Sequence, residues 1–102
     1  MAWQGKPPRM AHEVLKNEAA GRYELHVDGE LAGIADYHEQ GDALVFPHTE
    51  IDPSRRGQGL GAVLVQGALD DVRPTGKKIV PACWYVGQFI DENPGYKDLL
   101  AS

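Results

Sequence analysis

The sequence predicts an α+β fold, a mixed and mainly antiparallel sheet carrying one long helix and a short C-terminal helix. Three observations carry this expectation. Tyr23, Leu25 and Val27 alternate with Glu24, His26 and Asp28, the two-residue period of a half-buried strand. Asp28-Gly29 and Gln40-Gly41-Asp42 interrupt the following apolar stretches as hairpin turns do. Leu60, Val63, Leu64, Ala68, Leu69 and Val72 then recur at the three- and four-residue spacing of a buried helix face.

Taken in order, residues 12–17 are expected to form a first short strand, closed by Glu18-Ala19-Ala20-Gly21. The strand around Tyr23 to Val27 turns at Asp28-Gly29 into a return strand over 31–37, with small Ala32, Gly33 and Ala35. Residues 43–51 form the next strand, again antiparallel. The helix over about 58–72 stops at Pro74-Thr75-Gly76, which breaks helical geometry. A strand over 78–83 is reached by this helical crossover, so it lies parallel to its predecessor. A second helix over 85–92 ends at Asn93-Pro94-Gly95, and 96–100 make a terminal turn. Pro47 and Pro81 fall within the two strands that flank the long helix, and each removes a ladder donor.

The 102 residues are expected to form one domain over 1–102, with 1–10 a loose leader. Hydrophobic residues at 42% and charged residues at 25% are ordinary for a globular chain. The net charge of −5 argues against a nucleic-acid surface and is compatible with a cationic acceptor. No apolar run approaches the ~20 residues needed to cross a membrane. The stretch from Met1 to Arg9 lacks an apolar signal core. One cysteine excludes an internal disulfide and points to a reducing compartment, so a cytoplasmic location is expected. No metal site is expected, because no histidine pair has ligand spacing on a helix. A monomer or weak dimer is expected.

The segment Arg55-Arg56-Gly57-Gln58-Gly59-Leu60-Gly61 joins the strand over 43–51 to the long helix. The first N–H groups of a helix lack intrahelical partners, and the dipole there favours negative charge. Glycine removes the Cβ atoms that would hold a phosphate away, and arginine pairs with its oxygens. A P-loop is excluded, because Gly61 is followed by Ala62-Val63 and not by lysine. The dinucleotide fingerprint G-x-G-x-x-G is not spelled from Gly59 onward. Arg56-x-x-Gly59-x-Gly61 resembles the R/Q-x-x-G-x-G/A acyl-CoA motif of the GNAT N-acetyltransferase superfamily. Together with His48-Thr49-Glu50, Val80-Pro81-Ala82-Cys83-Trp84-Tyr85-Val86 and Asn93-Pro94-x-Tyr96, the chain resembles a minimal GNAT subfamily over about residues 20–100.

The resemblance implies a GNAT-like sheet in which the two strands around the long helix splay, so that the pantetheine arm of acetyl-CoA enters between them. Pro47 and Pro81 suit that splay. Arg55, Arg56 and the backbone of Gly57, Gln58, Gly59, Leu60 and Gly61 would hold the pyrophosphate, and the strand end at Ile51 would pair with pantetheine. The acceptor would be an amine, on a small molecule or a protein lysine. A tight hairpin replaces the helical insertion usual between the early strands, and the usual C-terminal strands are missing, which leaves the acceptor side open.

His48, expected to share a strand face with Phe46 and Glu50, is the candidate base. Glu50 would orient it or replace it. Three roles are open to Cys83: acyl-carrying nucleophile, proton donor to the departing CoA thiolate, or small core residue. The direct transfer general to GNAT enzymes disfavours the first. Tyr85 is a further proton-donor candidate. Trp84, Tyr85, Phe89 and Tyr96 have the spacing of residues that pack the last helix onto the sheet. The alternative to an enzyme is a CoA-binding module, and the His48/Cys83 pair separates the two, since binding alone needs neither.

Overall fold

The computed structural model describes residues 11–101, so the expected leader over 1–10 lies outside the described residues. Five strands make one sheet in chain order: β1 (His12–Asn17), β2 (Arg22–Val27), β3 (Glu30–Gln40), β4 (Ala43–Ile51) and β5 (Lys78–Val80). β1 to β4 pair antiparallel. Helix α1 (Leu60–Val72) crosses over, and β5 joins β4 in parallel. Helix α2 (Trp84–Glu92) and a 3-10 segment, Pro94–Leu99, complete the chain. The mixed, mainly antiparallel α+β architecture is the one expected.

The local chemistry explains each turn. Asp28 at φ 52° and Gly29 at φ 85° are both left-handed, as a two-residue hairpin with matching twist requires. Val27 therefore pairs directly with Glu30, and β3 begins earlier than residue 31. It also runs on to Gln40, because His38 to Gln40 pair with Ala43 to Val45. Tyr23, Leu25 and Val27 are fully buried against α1, whose inner face is Leu60, Leu64, Val65, Ala68, Leu69 and Val72. Val86, Phe89 and Ile90 of α2 join the same core. Burying one such leucine is worth ~1.5–3 kcal/mol, so this stripe holds the helix on the sheet. The one polar tip in this core, the Tyr23 hydroxyl, donates to Asp71 at 2.8 Å.

Two departures from expectation shape the site. The strand expected over 78–83 ends at Val80. Pro81 has no N–H for the ladder, and the chain turns away, so the last tie to β4 is the Cys83 N–H donating to the Phe46 carbonyl at 2.8 Å. Paired residues of β4 and β5 stop at Val45 and Val80, which leaves Pro47 to Ile51 without a neighbour on that side among the described residues. The second departure is a β-bulge. Between the pairs Asp36↔His48 and His38↔Val45, Phe46 and Pro47 together oppose Tyr37 alone. Such a bulge shifts the side-chain alternation by one residue. Phe46 packs in the core with Tyr23 and Tyr37, at ring-centroid distances of 6.1 and 6.3 Å, while His48 and Glu50 are exposed. The expected common face of Phe46 and His48 is therefore corrected; His48 shares its face with Glu50 alone.

No helix among the described residues is long and apolar enough to cross a membrane.

Candidate active site between β4 and the α1 N-terminus

The strand β4 delivers the chain to the site through a capped turn. Asp52 accepts from the Ser54 N–H and hydroxyl, both at 3.0 Å, and Pro53 opens the 3-10 turn Pro53–Arg55. Those two bonds hold the Asp52 carboxyl below the usual carboxylate range. The Arg55 guanidinium then reaches back to Glu30 at 2.6 Å, tying the turn to the start of β3. Both arginines are assigned to pyrophosphate by the sequence reading, yet Arg55 is already paired and its side chain is 19% exposed. Arg56 is exposed and makes no ion pair among the described residues.

Gly57 at φ 83° and Gly59 at φ 72° are left-handed, which a side chain would strain. Gly59 is the N-cap of α1, and no side chain caps the helix there. The first turn carries no acidic residue. The leading N–H groups of α1 thus point outward uncapped at the positive end of the helix dipole. Gly61 answers a different demand: a Cβ there would run into the Tyr85 ring and hydroxyl. A cavity of about 160 Å³ is lined by Ile51, Arg55, Arg56, Gly57, Gly59, Leu60, Gly61 and Tyr85. Gln58 sits exposed in the same loop.

This donor set fits the diphosphate of an acyl-CoA. Two buried polar atoms make no hydrogen bond, the Thr49 hydroxyl on β4 and Arg55 Nε, which has only a 3.9 Å ion-pair contact with Asp52. A buried donor left unpaired costs ~1–3 kcal/mol, which a ligand oxygen at the site would relieve. Thr49 lies two residues before Ile51, on the stretch of β4 that has no β5 partner. Its signal in the sequence was its phase with Ile51, which only the bulge at Phe46-Pro47 makes legible. Tyr85 as a lining residue was a second omission, because nothing local places α2 over Gly61.

His48 Nε2 stands 3.7 Å from Glu50 Oε1, both side chains more than half exposed. Cys83 is the N-cap of α2, partly buried and packed against the core. No hydrogen bond joins Cys83 to His48 among the described residues. Their backbones are nonetheless brought close, since Cys83 bonds to the residue two before His48. A shallow groove of about 330 Å³ borders Ile51 as well, lined also by Arg22, Leu31, Ile34, Glu50 and Pro53. Among the described residues no cluster of side chains suits a metal ion.

Comparison with known proteins agrees with this geometry. Residues 22–99 match the family model described as GCN5-related N-acetyl-transferase. Protein NATD1 of Mus musculus is 30% identical over 92 residues, 89% of this chain and 81% of that protein. Protein NATD1 of Homo sapiens is equally similar, with 79% of its length covered. The crystal structure of the ribosomal-protein-S18-alanine N-acetyltransferase from Escherichia coli superposes with a TM-score of 0.57 at 20% identity, over 88% of this chain. The chain spans 54% of that structure's length, so the likeness is one of fold. An uncapped glycine-rich helix start beneath a splayed strand pair is what such a family match leads one to find, and this chain belongs to the GCN5-related N-acetyl-transferase family.

Proposed function

We propose that the protein is an acetyl-CoA-dependent N-acetyltransferase that moves acetyl directly from CoA to a primary amine, on a small molecule or a protein lysine. The observation that carries this reading is the start of α1: left-handed Gly57 and Gly59, no side-chain cap and no acidic residue, facing a cavity beneath unpaired β4. The N–H groups from Gly59 to Gly61 and the Arg56 guanidinium hold the diphosphate. The free edge of β4 near Ile51 and the Thr49 hydroxyl offer hydrogen bonds to the pantetheine arm. His48 takes the proton that the attacking ammonium must lose, with Glu50 3.7 Å from its ring. Acidic Glu50, 3.7 Å from the exposed histidine, also suits a cationic acceptor over an anionic one. Cys83, packed into the core, carries no acetyl group in this scheme.

A CoA-binding module without turnover is the second reading, favoured by the lack of a hydrogen bond between His48 and Cys83 among the described residues. Thermal melts with CoA and an acetylation assay against a panel of amines separate the two. CoA at a hundred times its dissociation constant should stabilise the fold by about 2.7 kcal/mol. Gly59→Asp should abolish that shift, since it places a negative side chain where the phosphates sit and strains a left-handed position. Stabilisation by CoA without acetyl transfer to any amine selects the binding module. No stabilisation of the wild-type chain, and no heat on titration, would sink both.

A further inference from the structure

We infer that the Tyr85 hydroxyl is a side-chain donor of the diphosphate cradle, and that Gly61 exists in this chain to let it reach there. The inference rests on the CoA reading above and deepens it. The glycine motif accounts for backbone N–H groups, but it admits alanine at the position of Gly61. Here a Cβ at Gly61 would meet the Tyr85 ring and hydroxyl, so alanine would push the ring off its place on α1. The ring therefore lies directly on the first turn of α1, and Tyr85 lines the same cavity as Arg56, Gly57 and Gly59.

Tyr85 stands in the first turn of α2. Trp84 meets it edge-on, with centroids 5.6 Å apart at 69°. The start of α2 is pinned to β4 by the bond from the Cys83 N–H to the Phe46 carbonyl. The hydroxyl makes no hydrogen bond among the described residues. Burial, and then the charge of Glu92, raise its pKa above the usual tyrosine value, so the group remains a protonated donor. A neutral donor beside uncapped helix N–H groups adds a hydrogen bond to an anion without the desolvation cost of a further cation. Arg55, diverted to Glu30, leaves room for such a substitute.

The test is calorimetric titration of wild-type, Tyr85→Phe and Gly61→Ala proteins with CoA and with ADP, which keeps a diphosphate and lacks pantetheine. Phenylalanine retains the ring, so the ligand-free melting temperature should not change. CoA and ADP affinity should each fall about tenfold, the size of one lost hydrogen bond to a charged group. Gly61→Ala displaces the ring and should cost at least as much. Tyr85→Phe protein that binds both ligands as tightly as wild type overturns the inference and leaves the CoA reading standing. A loss confined to CoA also overturns it, because it places the hydroxyl on the pantetheine arm. Wild-type protein that binds neither ligand refutes both readings.

Discussion

His48 lies on an exposed stretch of β4, its side chain more than half exposed. Its replacement is therefore a clean probe of chemistry. His48→Ala should change stability by no more than ~0.5 kcal/mol, as exposed substitutions do. CoA affinity should stay within a few-fold, while acetyl transfer falls by about 10²-fold, the usual loss for a general base. Unaltered turnover would exclude the role. Cys83 makes the opposite kind of probe, being partly buried at the α2 N-cap. Intact-mass spectra after mixing with acetyl-CoA alone should show no stoichiometric acetyl adduct that a fresh amine discharges. An adduct formed and discharged at the turnover rate would establish a covalent route. At this scale the sequence was only partly informative. The residue types at 48, 56, 59 and 83 stood out because they are unusual where they lie. The diversion of Arg55 to Glu30 did not, because the two are 25 positions apart and only the folded hairpin brings them together.

Among the elements, β2 carries a charge network whose pH response is distinctive. Glu24 accepts from His26, Asn17 and Arg22 at 3.0, 3.0 and 2.8 Å. These bonds, His26 first, lower its pKa from 4.5 to about 2. A carboxyl depressed in the folded state adds stability that is complete above its unfolded value and is lost as pH falls towards its folded value. The wild-type protein should therefore lose stability between about pH 4.5 and pH 2, a window set by those two values. Glu24→Gln should flatten that part of the profile in urea melts recorded from pH 6 to pH 3. Parallel profiles would show that Glu24 does not contribute to it. Element boundaries were legible where a local rule governs them. β4 runs over the expected Ala43–Ile51, and the Asp28-Gly29 turn lies where its two left-handed residues require. The end of β5 was missed by three residues, because apolar Val80 to Cys83 reads as strand until Pro81 is given its full weight. The bulge at Phe46-Pro47 was missed because one extra residue on a strand has no signature until its partner strand is known.

For the molecule as a whole, one core ties sheet and both helices together, so its loss should be felt everywhere at once. Leu64 is fully buried on the inner face of α1. Leu64→Ala should cost ~2–5 kcal/mol and lower the melting temperature in a single transition. Two separated transitions would mean that the sheet and the C-terminal part unfold independently. The second half of the chain is fastened at several places besides that core. Arg73 pairs with Asp98 at 2.7 Å, the Tyr96 hydroxyl donates to Asp70 at 2.7 Å, and the Ala101 N–H reaches the Ile79 carbonyl at 2.9 Å. The architecture could be read in advance because strand, turn and helix periods alternate without conflict. The tertiary locks could not, since each joins residues that no periodicity relates.

The divergence of β4 from β5 has a consequence for self-association. From Pro47 to Ile51 the strand behaves as an exposed sheet margin inside the protein, with backbone groups that any extended chain can pair with. Proline at 47 blunts that margin at its inner end by withholding an N–H from an incoming strand. A cosubstrate bound as proposed would lie along the same margin and cover it from there outward. If the proposed function holds, the saturated protein would be protected from strand-to-strand pairing there by its own cosubstrate, and the empty protein would keep the blunting by Pro47.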